Sequence, residues 1–221
     1  MSLERTPRAR AGALAAAFGA LFGAALAPAA CSDSPAPTTA PTPAPPLVST
    51  KGRVNFKGGR RYADDLARGL AVPRAELCRE LSSFDCVDEV HNIALGGVDP
   101  YDAAIYRPSR ERSVPTVNAV DRIALTACDG RAKRDFGDPD RAAIFGDLAR
   151  AGAEPPREAL AAAANRLYAG LLGRDPNADE ADALVAFYGE LEAELGPSAA
   201  PARFATLACY AVATSEEALF Y

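Results

Sequence analysis

LAAAANRLYAGLLGRDPNADEADALVAFYGELEAEL, residues 160–195, carries the clearest pattern in the chain. Leu160, Ala164, Leu167 and Leu171 recur every three or four residues, which places them on one face of a helix. Gly173 terminates that helix, because glycine enters the left-handed conformation of a C-terminal cap without a Cβ penalty. Asp175-Pro176-Asn177 is a turn, since each of these residues sets or tolerates turn geometry. Asp179 and Glu180 open a second helix, where carboxylates favour the positive end of the helix dipole. Its stripe is Ala181, Leu184, Tyr188, Leu191 and Leu195, and Gly196-Pro197 stops it.

The same reading extends outward. Pro201 starts a final helix bearing Phe204, Leu207 and Ala211, and Ser215-Glu216-Glu217 caps one last turn before Phe220 and Tyr221. Upstream, Asp138-Pro139 starts a helix with Ile144, Phe145 and Leu148 inward and Gly152 at its end. A long helix begins near Pro115 and carries Val117, Val120, Ala124 and Cys128 inward. Tyr62, Leu66 and Leu70 mark a first helix, and Pro73 opens a second with Leu77 and Leu81 on one face. Asp85 caps a third that runs to Leu95 and ends at Gly96-Gly97, and Asp99-Pro100 starts a short one that Pro108 stops. No alternating strand pattern of useful length and no internal repeat is evident.

The first residues have a different character. Arg5, Arg8 and Arg10 form a basic head, residues 11–26 are an uncharged run of Ala, Gly, Leu and Phe, and Ala27-Pro28-Ala29-Ala30 precede Cys31. This is the three-part layout of a secretory signal peptide, too short and too weakly apolar for a membrane span of about 20 residues. Small residues followed by Cys31 resemble the lipobox of bacterial lipoproteins, in which the cysteine becomes the lipidated first residue, although Pro28 stands where that pattern has Leu. Cleavage after Ala27-Pro28-Ala29 is the alternative. Pro35, Pro37, Pro41, Pro43, Pro45 and Pro46 then make residues 32–49 a tether of polyproline character. Lys51, Arg53, Lys57, Arg60 and Arg61 form a basic lead-in, read as solvated or as touching anionic headgroups.

The expected fold is therefore all-α, an irregular multi-helix bundle behind a signal peptide and a Pro-rich tether. The expected divisions are 1–30 signal peptide, 31–50 lipidated Cys and tether, and 51–221 helical domain, with a candidate subdivision into 51–137 and 138–221. Removing residues 1–30 moves the net charge from −5 to −7, which argues against a general nucleic-acid binder. Four further cysteines, Cys78, Cys86, Cys128 and Cys209, suit two disulfides in an exported protein. Three connectivities are open, and the chosen one is Cys78–Cys86 with Cys128–Cys209; four unpaired buried cysteines are the alternative.

Candidate chemistry is sparse. His91 is the single histidine, and no GxSxG, SxxK or HExxH accompanies it. Five positions separate it from Cys86, so on a helix the two point about 140° apart and do not converge as nucleophile and base. Cys78, Cys86 and His91 lack zinc-ligand spacing. Asp175, Asn177 and Asp179 copy the first ligands of a calcium loop, but Glu180 stands at its glycine and Ala186 at its bidentate glutamate. No catalytic residue, metal or cofactor is expected. Tyr101, Tyr106, Arg107, Arg110 and Arg112 crowd one loop region, and aromatics with arginines are the residues of binding hot spots.

NRLYAGLLGRDPNADEADALVAFY (residues 165–188) and LACYAVATSEEALFY (residues 207–221) resemble a helical hairpin of bacterial surface proteins that carry c-type cytochrome modules. The haem part does not carry over, because the chain has no CxxCH. Residues 60–221, with CRELSSFDCVDEVHNIALGGVDPY and AVDRIALTAC, resemble an uncharacterised family of predicted bacterial lipoproteins. The resemblance implies an extracytoplasmic helical domain and no chemistry. The expectation is an exported protein, lipid-anchored on the periplasmic or cell-surface side of a bacterial membrane, with a helical interaction or structural domain for an unknown protein or polymer partner. The alternative is an extracytoplasmic enzyme or redox accessory subunit with a site near His91.

Overall fold

The structure, a computed structural model, describes residues 54–109 and 113–221. The signal peptide, Cys31, the tether, Lys51 and Arg53 lie outside the described residues, as do Arg110 and Arg112. The described chain is mostly helical. Its helices are α1 (Gly59–Gly69), α2 (Val114–Gly137), α3 (Gly146–Ala151), α4 (Arg157–Leu172), α5 (Ala178–Leu195), α6 (Ala200–Ala213) and α7 (Glu216–Leu219). An antiparallel pair of two-residue strands, β1 (Arg79–Glu80) and β2 (Phe84–Asp85), interrupts them. Among the described residues no helix is long and apolar enough to cross a membrane.

The centre is the antiparallel pair α2 and α6. Ser113 and Pro115 start α2, with the Ser113 N–H donating to Thr116 Oγ1 at 3.1 Å. Its buried face is Ala119, Val120, Ile123, Ala124, Ala127 and Cys128. Val117, expected inward, is exposed; the stripe is set one residue earlier by Thr116, whose hydroxyl donates to the Ala94 carbonyl at 2.7 Å. On α6 the buried face is Phe204, Ala205, Ala208, Cys209 and Val212, and Ala211, expected inward, is exposed. Alanines on both faces let the backbones approach, and a disulfide joins Cys128 to Cys209 with Cα atoms 5.6 Å apart.

The stretch at 160–195 folds as the α4–α5 hairpin. Gly173 is left-handed at the C-cap (φ 72°). Asn177 and Glu180 form a reciprocal cap, Glu180 N–H to Asn177 Oδ1 at 2.9 Å and Asn177 N–H to Glu180 Oε2 at 2.8 Å. Leu184, Tyr188 and Leu191 are buried, but Leu195 at the last turn is half exposed, because α5 runs past the end of the core there. α1 crosses α4 at Gly69 and Gly170. A Cβ on Gly170 would lie 2.5 Å from the Gly69 carbonyl oxygen, so the crossing admits no side chain. The chain entering α1 pairs with the last residues, through Lys57 N–H to Leu219 O (3.0 Å) and Tyr221 N–H to Asn55 O (3.3 Å).

Asp138-Pro139 does not start a full helix. Pro139–Arg141 form one 3-10 turn, and α3 begins only at Gly146. The cause is Asp135, which is wholly buried and accepts the backbone N–H groups of Ala143 (3.0 Å), Ile144 (3.0 Å) and Phe145 (2.8 Å). Those three residues are held outside the helix while Ile144, Phe145 and Leu148 still reach the core. Arg131, one turn earlier, neutralises Asp135 at 2.5 Å.

These contacts can be tested at two places. Asp135→Ala leaves a buried guanidinium and three backbone donors without their acceptor, and should cost about 3–5 kcal/mol in urea unfolding; a loss under about 1 kcal/mol would show that water replaces the carboxylate. The second place is Arg174, which binds Glu180 at 2.8 Å and Glu217 at 2.7 Å and so ties the α4–α5 turn to α7. The Arg174 hydrogen bonds, then the Asn177 N–H, pull the Glu180 carboxyl down to about 2, and Arg174 lowers that of Glu217. Both are depressed in the folded state, so their contribution is complete above the ordinary glutamate range and is lost as pH falls from there towards 2. The protection factors of the α7 amides, taken against the intrinsic rate at each pH, should fall selectively over that window, and Arg174→Gln should abolish that fall.

Candidate functional site

Residues 71–109 depart most from the expected helices. The helix expected from Pro73 is a single 3-10 turn, Arg74–Glu76, followed by the β1–β2 hairpin. The reason is covalent. Cys78 is bonded to Cys86 with Cα atoms 5.5 Å apart, whereas eight residues of helix rise about 12 Å. The Cys86 N–H donates to the Cys78 carbonyl at 3.3 Å, so the disulfide closes the open end of the hairpin.

At the closed end Leu81 and Ser82 both take positive φ, 51° and 62°, and the Ser83 N–H donates to Glu80 O at 3.1 Å. Arg79 also reaches across to the Ser83 carbonyl. Tight hairpins favour this geometry but normally use Asn or Gly for it, since a Cβ meets the backbone there. Leu81 is 86% exposed, not part of a core stripe with Leu77, and Phe84 beside it is half exposed.

Asp85 does cap the next turn, accepting from the Val87 and Asp88 N–H groups at 2.8 Å each. Burial alone would raise its pKa, but those donors and the Arg74 guanidinium outweigh burial and hold it below the usual carboxylate range. The turn is one π-helical turn, Cys86–Val90, closed by His91 N–H to Cys86 O at 2.9 Å, and it does not continue to Leu95. Leu95 is nevertheless buried. Gly96 is left-handed (φ 80°) and lies so close to the Ser109 carbonyl that a Cβ would collide with it. Asp99-Pro100 starts no helix either. The Asp99 side chain accepts from Tyr101 N–H (3.3 Å) and Asp102 N–H (3.0 Å), a local alternative to helix formation. Asp99 and Ile105 then exchange backbone hydrogen bonds at 2.8 and 3.0 Å, closing a tight loop.

That loop presents the expected aromatics. Tyr101 is 94% exposed and Tyr106 74%, with Arg107 exposed next to it. Arg110 and Arg112 lie outside the described residues. At the base of the loop a cavity of about 350 Å³ is lined by Lys57, Gly59, Arg60, Asn92, Val98 and Pro108. The chain entering α1 therefore passes beside the loop that carries the tyrosines.

His91 bonds Glu80 Oε1 at 2.9 Å, and Arg122 approaches the same oxygen at 3.2 Å. Cys86 is occupied in its disulfide, so it presents no thiol to His91. Among the described residues no three His, Cys, Asp or Glu side chains are placed to hold a metal. In the calcium-like stretch, Asn177 and Glu180 are spent on the helix cap and on Arg174. Helical spacing gives no hint of the exposed pair Leu81 and Phe84. The signal for it is the polar Ser82-Ser83 turn between two cysteines eight positions apart, which favours a closed hairpin over a helix. Comparison with family models, curated proteins and solved structures found no match.

The strained tip gives a test. Leu81→Gly and Leu81→Ala remove the same exposed side chain, but only Gly relieves the positive φ. The Gly variant should be the more stable by about 1 kcal/mol in urea unfolding; equal midpoints would mean that the tip relaxes in solution.

Proposed function

We propose that this chain is an exported, lipid-anchored bacterial protein whose helical domain binds a protein or polymer partner through the loop-rich segment after α1. The observation that carries the reading is where the apolar surface lies. Of thirteen large apolar side chains exposed among the described residues, nine fall between residues 81 and 117. Single exposed apolar side chains are ordinary, and their clustering along one stretch of chain is what supports an interaction surface there. Leu81 and Phe84 stand on a disulfide-closed hairpin and Tyr101 on a hydrogen-bonded loop, so each is presented with little conformational entropy left to lose on binding. Two disulfides suit an oxidising compartment, in keeping with the leader and with Cys31 as the acylated residue.

A photo-reactive residue in place of Tyr101, in the full chain expressed in a bacterial host, tests the reading. It should give one defined adduct, while the same residue in place of Ala186, exposed on α5, should give none. Cys31→Ala should move the protein from the membrane to the soluble exported fraction and reduce the adduct. Equal labelling at both positions would remove the surface, and a Cys31→Ala chain still held by membranes would remove the anchor.

A further inference from the structure

We propose that the groove between the C-terminal end of α2 and the N-terminal end of α6 binds an amphipathic anion, an aliphatic carboxylate of medium chain length. This site is separate from the surface at residues 81–117 and does not depend on it. The two helices are fixed to each other by the Cys128–Cys209 bond and by the Tyr210 hydroxyl donating to Asp121 Oδ1 at 2.9 Å. Beyond Cys128 the gap is bordered by four small residues, Ala132 and Gly137 on one side and Ala199 and Ala202 on the other, with Thr206 turning its hydroxyl to the Ala202 carbonyl. They leave a space of about 620 Å³, within the range of small-molecule sites. Phe136 lines it and packs on the core with the rest of its ring, so the groove has an apolar wall.

Charge selects the occupant. Lys133, Asp129 and Arg203 border the groove. Lys133 and Asp129 neutralise each other at 2.7 Å. Arg203 is exposed and has no carboxylate within ion-pair distance among the described residues, so the groove carries one uncompensated cation. A guanidinium takes a carboxylate through two parallel hydrogen bonds, which a neutral head group cannot copy. The alkyl chain then displaces water from Phe136 and the alanines.

The test uses the full chain carrying Cys31→Ala, so that no attached acyl group competes, with decanoate and decanol as probes in titration calorimetry below their aggregation limits. Decanoate should bind at one saturable site and more tightly than decanol. Arg203→Gln should weaken decanoate by about fivefold or more and leave decanol unchanged. Ala202→Trp, which fills the groove from an exposed position, should abolish binding of both with the unfolding midpoint retained. Absence of saturable decanoate binding, or equal affinity in all three proteins, would overturn the proposal. Equal loss of both probes in Arg203→Gln would overturn the charge assignment.

Discussion

One buried carboxylate holds three parts of the chain together. Asp135 accepts the backbone N–H groups of residues 143–145 and the guanidinium of Arg131, and Arg131 reaches the carbonyls of Leu70 (3.5 Å) and Ala71 (3.4 Å) at the end of α1. The end of α1, the last turns of α2 and the entry to α3 thus meet at one ion pair. Such pairs add little stability over a well-packed apolar substitute, yet they penalise any arrangement that leaves one partner alone. Arg131 Nε is buried with no hydrogen-bond partner among the described residues, and Ala71, whose carbonyl Arg131 reaches, sits at φ 51°. Both are small penalties accepted for a junction with one satisfied geometry.

Around that junction the two disulfides have different tasks. Cys128–Cys209 lies wholly inside and joins helices already packed by alanines, so it reinforces an existing interface. Cys78–Cys86 acts on local structure, turning a segment of helical composition into a hairpin. The first supports the mostly helical frame, and the second projects apolar side chains from it. The α2–α6 groove arises where the first no longer draws the helices together.

The helices legible in the sequence are those whose stripe, cap and terminator agree. At 160–195 the apolar period, Gly173, the Asp175-Pro176-Asn177 turn, the acidic start at Asp179-Glu180 and Gly196 all indicate the same boundaries, and α4 and α5 keep to them within a few residues. At 73–108 the signals conflict. Leu77 and Leu81 fit a helix by spacing, yet Ser82, Ser83 and the paired cysteines favour a turn, and the covalent constraint prevails. Asp85 and Asp99 are good caps in either state, so they fix a turn without fixing the conformation of the residues beyond it. Tyr101, Tyr106 and Arg107 are exposed where a loop is expected to carry them, and that exposure needs no helix at all. Asp135 left no trace, because one Asp in a charged helix looks solvated until its distant backbone partners are known. The groove was equally silent, since it is made by the space that alanines leave unfilled.

The pairing of residues 55–57 with residues 219–221 has a mechanical consequence. A pull on the chain where it enters α1, opposed by a hold on the hairpin or the tyrosine loop, acts along the covalent path between them. The load runs from the short antiparallel bridge through α1 to residues 78–106. Cys128 and Cys209, 81 positions apart, close a covalent loop whose ends cannot be drawn apart. Extended, that segment would span on the order of 270 Å, and the bond withholds nearly all of that slack. A load applied across that loop meets the covalent bond first.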